Sequence, residues 1–139
     1  MKYRLTDETI KVDEVILHRI ECVEAFPNVK AGDKGGWIEK EDNLSQKGYA
    51  WVRDDAKVYG NAWVYGNAKI SRNSDYIVFK NNFSSGRYFT WTRSNNMWTV
   101  GCFHGTGEKL IEKAKQDNED KTRRYALYVK LVEDLQKVE

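Results

Sequence analysis

The stretch Ala50 to Ser74, AWVRDDAKVYGNAWVYGNAKISRNS, repeats itself every six residues. Val52, Val58, Val64 and Ile70 hold one phase, and Ala56, Ala62, Ala68 and Ser74 follow each of them by four. The third residue of each unit runs Asp54, Gly60, Gly66, Arg72, and the fourth runs Asp55, Asn61, Asn67, Asn73. This pattern suits a chain that turns a corner every sixth residue. The aliphatic side chain fills the inside, the small residue lets the next corner approach, and Gly or Asn tolerates the positive φ such corners need. If three units make one turn, the run makes fewer than two turns, and repeat units do not bury their faces alone. Caps from the flanking chain, contacts with further subunits, or both must supply the rest. The same residues also admit an antiparallel meander with Tyr-Gly-Asn-Ala as its turns.

The hexads resemble the hexapeptide repeats of left-handed β-helix proteins. The block VKAGDKGGWIEKEDNLSQKGYAWVRDDAKVYGNA resembles an N-terminal block of bacterial and phage β-helix proteins. This likeness implies a fold and says little about chemistry. Hexapeptide-repeat acyltransferases often use a histidine in the coils, and this repeat contains none.

The chain has 139 residues, a formal net charge of +2, one proline and 13% aromatic residues. Such a balance suits one ordered domain with a respectable core and argues against bulk nucleic-acid binding. No apolar run approaches the roughly 20 residues of a membrane span, and the first residues, MKYRLTDETIKVDE, carry no apolar signal region. Cys22 and Cys102 read as free thiols in a reducing cytoplasm, with a single disulfide left open. His18 and His104 are the only histidines, so metal-ligand spacing is absent and no catalytic constellation is formed. His18 reads as a hydrogen-bonded structural side chain. The glycine-rich segment Phe26 to Trp37 matches no phosphate-binding pattern and reads as a tight lead-in to the first turn of the repeat.

Before the repeat, Tyr3–Leu5 and Ile10–Val12 are short strand candidates around the polar turn Thr6–Thr9, with Val15–Val23 as their partner. After it, residues 87–93 alternate with period two. Arg87, Phe89, Trp91 and Arg93 share one face, Ser94-Asn95-Asn96 make a turn, and Met97–Phe103 return. Thr106 is a sound N-cap for a helix carrying Leu110, Ile111 and Ala114. Gln116–Thr122 reads as a polar link. Tyr125, Tyr128, Leu131, Val132, Leu135 and Val138 then recur at helical spacing. The expected fold is therefore mostly β with C-terminal helices, an α+β arrangement in a single domain. It comprises an N-terminal β region (1–42), a short left-handed hexapeptide β-helix (43–74), a two-stranded β-ribbon (75–104) and a helical C-terminus (105–139). Trp51, Lys57, Trp63 and Lys69 point outward from the repeat, joined by Tyr59 and Tyr65. Another subunit or the C-terminal helices are expected to cover that face.

The ribbon and the helix after it form the candidate binding site. Between residues 75 and 115, Lys80, Arg87, Arg93, Lys109, Lys113 and Lys115 stand against Asp75, Glu108 and Glu112, six charges against three, for +3. Phe83, Tyr88, Phe89, Trp91 and Trp98 are interleaved. Cations beside rings suit a ligand with phosphates and bases, and the helix opening at Gly105-Thr106-Gly107 favours an anion. The expected arrangement has phosphates held by Thr106, Lys109 and Lys113, with Arg87 or Arg93 reaching in. Phe89 or Trp91 would stack on a base, and Asn95 and Asn96 would read its edge. The other reading of these residues is core aromatics, a simple cap and solvated lysines.

The segment RYFTWTRSNNMWTVGCFHGTGEKLIEKA looks like the C-terminal block of small phage and prophage proteins that carry such repeats. Among small phage proteins are oligomeric sponges that counter host immunity, including the anti-Thoeris sponges, which trap cyclic ADP-ribose isomers. So short a repeat, with an apolar end and a ringed face, implies a homo-oligomer, a trimer, a dimer or a dimer-based hexamer, and this resemblance implies a cytoplasmic protein of the infected host. Such a protein would capture a nucleotide signal without catalysis or cofactor. A structural protein that binds only protein, and a hexapeptide transferase, are the alternatives.

Overall fold

The hexads bring the chain back beside itself in parallel. In the computed structural model, which describes residues 1–138, Trp51–Val52 (β4) lies beside Lys69–Ile70 (β6), eighteen residues on. Lys34–Ile38 (β3) lies beside Lys57–Val58 (β5), and Leu44 beside Val64, each twenty residues on. Three short parallel contacts, one after another, join two stacked turns of chain. The core between them consists of Ile38, Leu44 and Val52 in the first turn and Val58, Val64 and Ile70 in the second, all fully buried. Ala50, Ala56, Ala62 and Ala68 are buried at the small-residue positions. Burying six aliphatic side chains stabilises the coil by on the order of 10 kcal/mol before entropy is counted.

The change of separation from twenty to eighteen locates an extra pair of residues in the first turn, between Leu44 and Gly48. The excursion is held by the N-terminus. The Gln46 side-chain oxygen accepts from the Lys2 and Tyr3 N–H groups, and its amide donates to the Tyr3 carbonyl. Asp54, Gly60 and Gly66 have positive φ, and so does Gly48 one unit earlier. Arg72, the last residue in that series, is extended. There the repeat ends and a turn at Asn73–Asp75 begins.

Both ends of the coil are capped from within the chain. At one end the N–H groups of Lys57, Trp63 and Lys69, six residues apart, donate to Asn73 Oδ1, Thr90 Oγ1 and Ser94 Oγ at 2.9, 3.0 and 2.8 Å. At the other, the carbonyls of Leu44 and Ala50 accept from Tyr3 Oη and Lys2 Nζ, both at 2.6 Å. Ile38, one unit earlier, pairs with His18 of Val15–Cys22 (β2). Side chains therefore satisfy backbone groups that further coils would otherwise pair.

Tyr3–Val12 (β1) is one strand, antiparallel to β2, where two short strands around a turn are expected. Thr6–Glu8 is a bulge inside it: Thr6 Oγ1 donates to the Arg19 carbonyl and accepts the Glu8 N–H. The hairpin turn is Asp13-Glu14, both at positive φ, the geometry of a two-residue turn. Gly35 and Gly36 are glycines for packing reasons. A Cβ on either would lie 2.6 Å from a coil carbonyl, that of Val52 or Ala56.

The second half is a four-stranded antiparallel sheet in place of the expected two-stranded ribbon. Tyr76–Lys80 (β7), Tyr88–Thr92 (β8), Met97–Val100 (β9) and Phe103–Gly105 (β10) pair in sequence. The return strand breaks where Gly101 takes positive φ. Gly107–Lys115 (α1) and Glu119–Leu135 (α2) cover the sheet. Helix α2 starts three residues before the expected link ends. Asn118 Oδ1 accepts the Lys121 N–H at 2.7 Å, and Glu119 and Asp120 suit the positive end of the helix. The result is a mostly-β α+β fold. Glu139, the last residue of the expected helical C-terminus, lies outside the described residues.

Two hydrophobic clusters form, one in the coil and one between sheet and helices. The helices cover the second, so they do not shield the ringed face of the repeat. Trp51 is instead buried under Tyr3 and Phe26 of its own chain, with Phe26 stacked on Tyr49. Trp63 stays partly exposed beside Tyr65, whose ring meets His104.

Candidate functional site

A cleft opens between the β8–β9 turn, the start of α1 and the C-terminal half of α2. Its volume is about 650 Å³. Trp91, Trp98, Val129 and Val132 form its apolar side. Arg93, Lys137, Glu108 and Glu133 bring two positive and two negative charges, and Asn96, Thr106 and Gln136 bring neutral polar groups. Helix α1 presents its first turn there. Thr106 Oγ1 accepts the Lys109 N–H at 3.3 Å, which leaves the Gly107 and Glu108 N–H groups without intrahelical partners. Gly107 also sets the width of the cleft, since a Cβ there would lie 2.7 Å from Val129 Cγ1.

Of the residues singled out in the sequence, Trp91, Arg93, Asn96 and Thr106 line this cleft together. Trp91 is held in place by its indole N–H, which donates to Asn96 Oδ1 at 2.9 Å. Arg93 is exposed, with a guanidinium nitrogen 3.8 Å from Asp75. The remaining residues lie elsewhere. Phe89 is fully buried against Phe79, Trp98, Tyr125 and Tyr128 and has no face free for a base. Asn95 accepts from Thr92 Oγ1 at 2.6 Å. Arg87 and Lys113 line a smaller cleft of about 260 Å³ near the other end of α1, with Lys113 Nζ 5.7 Å from the Phe103 ring centre. Lys109 lines neither cleft.

The dispersal follows from the sheet. Residues 87 and 93 sit at opposite ends of β8, a strand's length apart, and the two clefts open at those two ends. Trp98, one of the rings interleaved with the candidate-site cations in the sequence, lines the cleft as well, whereas sequence reasoning missed Gln136 and Lys137. Gln136 follows Val129 and Val132 by seven and four, so it shares their side of α2. That spacing was the available signal.

The histidines have structural partners. His18 Nδ1 lies 3.0 Å from the Thr6 carbonyl, and His104 Nδ1 lies 3.0 Å from Thr99 Oγ1. Burial lowers the pKa of His104 below the ordinary value. Cys22 is buried and Cys102 exposed, and neither is in a disulfide. Among the described residues, no group of three or more His, Cys, Asp or Glu is placed to hold a metal, and no helix is long and apolar enough to cross a membrane.

The fold and cleft together define an α+β protein in which a short parallel coil carries a sheet-and-helix layer with an amphipathic cleft. Over 61 residues the chain is 38% identical to an uncharacterized acetyltransferase of Escherichia coli (strain K12), YdcK. The match takes in 38% of this chain and 19% of that protein, so the chain spans about a fifth of the relative's length. Such a match is compatible with hexapeptide repeats. No family model matches the chain.

Proposed function

We propose that this protein binds a small anionic ligand of the nucleotide class in the cleft at the start of α1 and holds it without turnover. The observation that carries this reading is the convergence of Trp91, Arg93, Asn96 and Thr106 with the first turn of α1 in one cleft. Its volume, about 650 Å³, falls in the range of small-molecule sites. In its full form the reading makes the ligand a cyclic nucleotide or a cyclic ADP-ribose-type immune signal. The protein is then an anti-defence sponge in an infected bacterial host, working as a homo-oligomer, a trimer or a dimer-based hexamer. The coil is taken as a short left-handed β-helix, supported by the six-residue period and the parallel contacts eighteen to twenty residues apart.

Calorimetric titration with cyclic ADP-ribose isomers and cyclic di- and trinucleotides tests the reading, followed by recovery of the ligand after heat denaturation. Intact ligand is expected. Arg93→Ala removes a charge-assisted contact and should weaken binding about tenfold or more. Lys109→Ala, outside the cleft, should leave binding unchanged. No binding by any of these compounds overturns the reading and favours a purely structural role. A chemically altered ligand favours an enzyme, and the partial match to an acetyltransferase makes acyl transfer the reaction to assay.

A further inference from the structure

The outer flank of α2 is apolar and bare. Leu127, Leu131 and Leu135 are 65%, 55% and 48% exposed, and their spacings of four place them in one stripe, with the exposed Val138 just past the end of the helix. On the other sides of the helix, Val129 meets Gly107 of α1, and Tyr128 meets Phe79 of β7. Helix α1 lies over β9 and β10. The stripe therefore points away from α1, past the side of the sheet where β7 is the edge strand.

That edge is open. Among the described residues β7 pairs with β8 alone. Its sequence is Tyr-Ile-Val-Phe-Lys, with no proline and a single charge at its end. Edge strands of this kind template pairing with another chain unless something covers them. The strand complements itself. About Val78 an antiparallel copy sets Ile77 opposite Phe79 and Tyr76 opposite Lys80, with no like charges facing. The charges beside the stripe are already paired along the helix. Lys130 and Lys137 reach Asp134, and Arg123 and Arg124 reach Asp120. Covering the stripe strands no lone charge.

We infer that this flank is a two-fold interface between two copies of the chain, with β7 pairing antiparallel to β7 and the α2 stripes meeting over the joined sheet. A two-fold axis normal to the sheet leaves both α2 helices on the same face and antiparallel, which a self-complementary interface requires. The stripe offers on the order of 300 Å² of exposed surface per copy, and the β7 edge adds to it, toward the roughly 600 Å² per partner at the lower end of specific interfaces. The inference deepens the oligomeric part of the proposal above and is independent of its ligand part.

Sedimentation equilibrium of the full chain at micromolar concentration is expected to show a dimer or an even multiple of it. Leu127→Arg with Leu131→Arg, both exposed, should weaken that dimer about a hundredfold or more with an unchanged far-UV spectrum. Trp63→Arg, on the coil, should not change it. Leu131→Cys combined with Cys102→Ser should give a covalent dimer on mild oxidation, because the axis brings the two copies of residue 131 together. A monomeric or trimeric wild type, a dimer that survives both arginines, or failure of Leu131→Cys to cross-link overturns the inference. Ligand titration of the double arginine variant reads the ligand proposal separately. Its failure there together with failure in the wild type concerns the cleft alone.

Discussion

At the scale of residues, two polar side chains inside the coil region do the work of backbone. Asn43 is fully buried. Its oxygen accepts the Glu39 and Lys40 N–H groups, and its amide donates to the carbonyls of Gly60 and Ala62, so one side chain ties the first turn to the second. Asn43→Ala leaves these groups unpaired and should destabilise the fold by about 3 kcal/mol in urea unfolding. Lys2 is buried, and burial, followed by the charge of Lys69, lowers its pKa from 10.5 to about 8. Between those values the unfolded chain binds more protons than the folded one, so stability rises with pH from about 8. Tyr76 acts in the opposite direction. Burial, then Tyr59, raises it from 10.0 to about 12, so above pH 10 the unfolded chain loses the proton first and stability falls. The Lys2 rise continues toward 10.5 and the Tyr76 fall sets in at 10.0, so stability measured against pH should rise from about 8 and pass through a maximum close to pH 10. Lys2→Met should abolish the rise, which is on the order of 2 kcal/mol.

At the scale of elements, the caps decide how a coil of two turns can stand. Thr90→Val keeps the shape of the side chain and removes the acceptor for the Trp63 N–H. It should cost about 1–3 kcal/mol, and the Trp63 amide should exchange its hydrogen faster than in wild type. Ser94→Ala should act in the same way on Lys69. If neither amide changes, the sheet is not the cap of the coil. On the opposite face of the sheet, Gly107→Ala presses a methyl group against Val129. It should force α1 away from α2 at a cost of about 1–3 kcal/mol. It should also alter ligand affinity if the cleft is the site, which the titration described above measures.

At the scale of the whole molecule, the four-stranded sheet has a job on each face. Thr90 and His104 face the coil, while Phe79, Phe89 and Trp98 face the helices. This division places the cleft at the far side of the sheet from the repeat, so in the proposed reading the repeat is the support and the ligand lies with the C-terminal half. The β7 edge and the α2 stripe lie on one flank, apart from the cleft. Assembly and ligand binding should accordingly be separable by mutation: Arg93→Ala should affect binding without changing mass, and the double arginine variant should change mass while leaving the cleft residues in place.

The local parts of this architecture were legible in the chain itself. The hexad of Val52, Val58, Val64 and Ile70 dictated a corner every six residues because an aliphatic residue, a small residue and a corner each need a fixed place in the unit. Thr106 marked a helix start because its hydroxyl reaches its own third N–H. The period-two run over 87–93 marked a strand for equally local reasons. Long-range pairing was not readable in this way. Nothing in Thr90 or Ser94 marks them as acceptors for a coil N–H more than twenty residues away, and nothing near Leu44 shows that two extra residues will be taken up by Gln46 against the N-terminus. The same holds for the site. Arg87 and Arg93 share a strand face in sequence, yet the length of β8 sends them to different clefts. Phe89 reads as an available ring until the helices close over it. Sequence by itself determined the elements and their periods. Which side chains meet, and which stay open to a ligand, was decided only when the sheet was set between the coil and the helices, since burial and distance arise from packing between segments far apart in the chain.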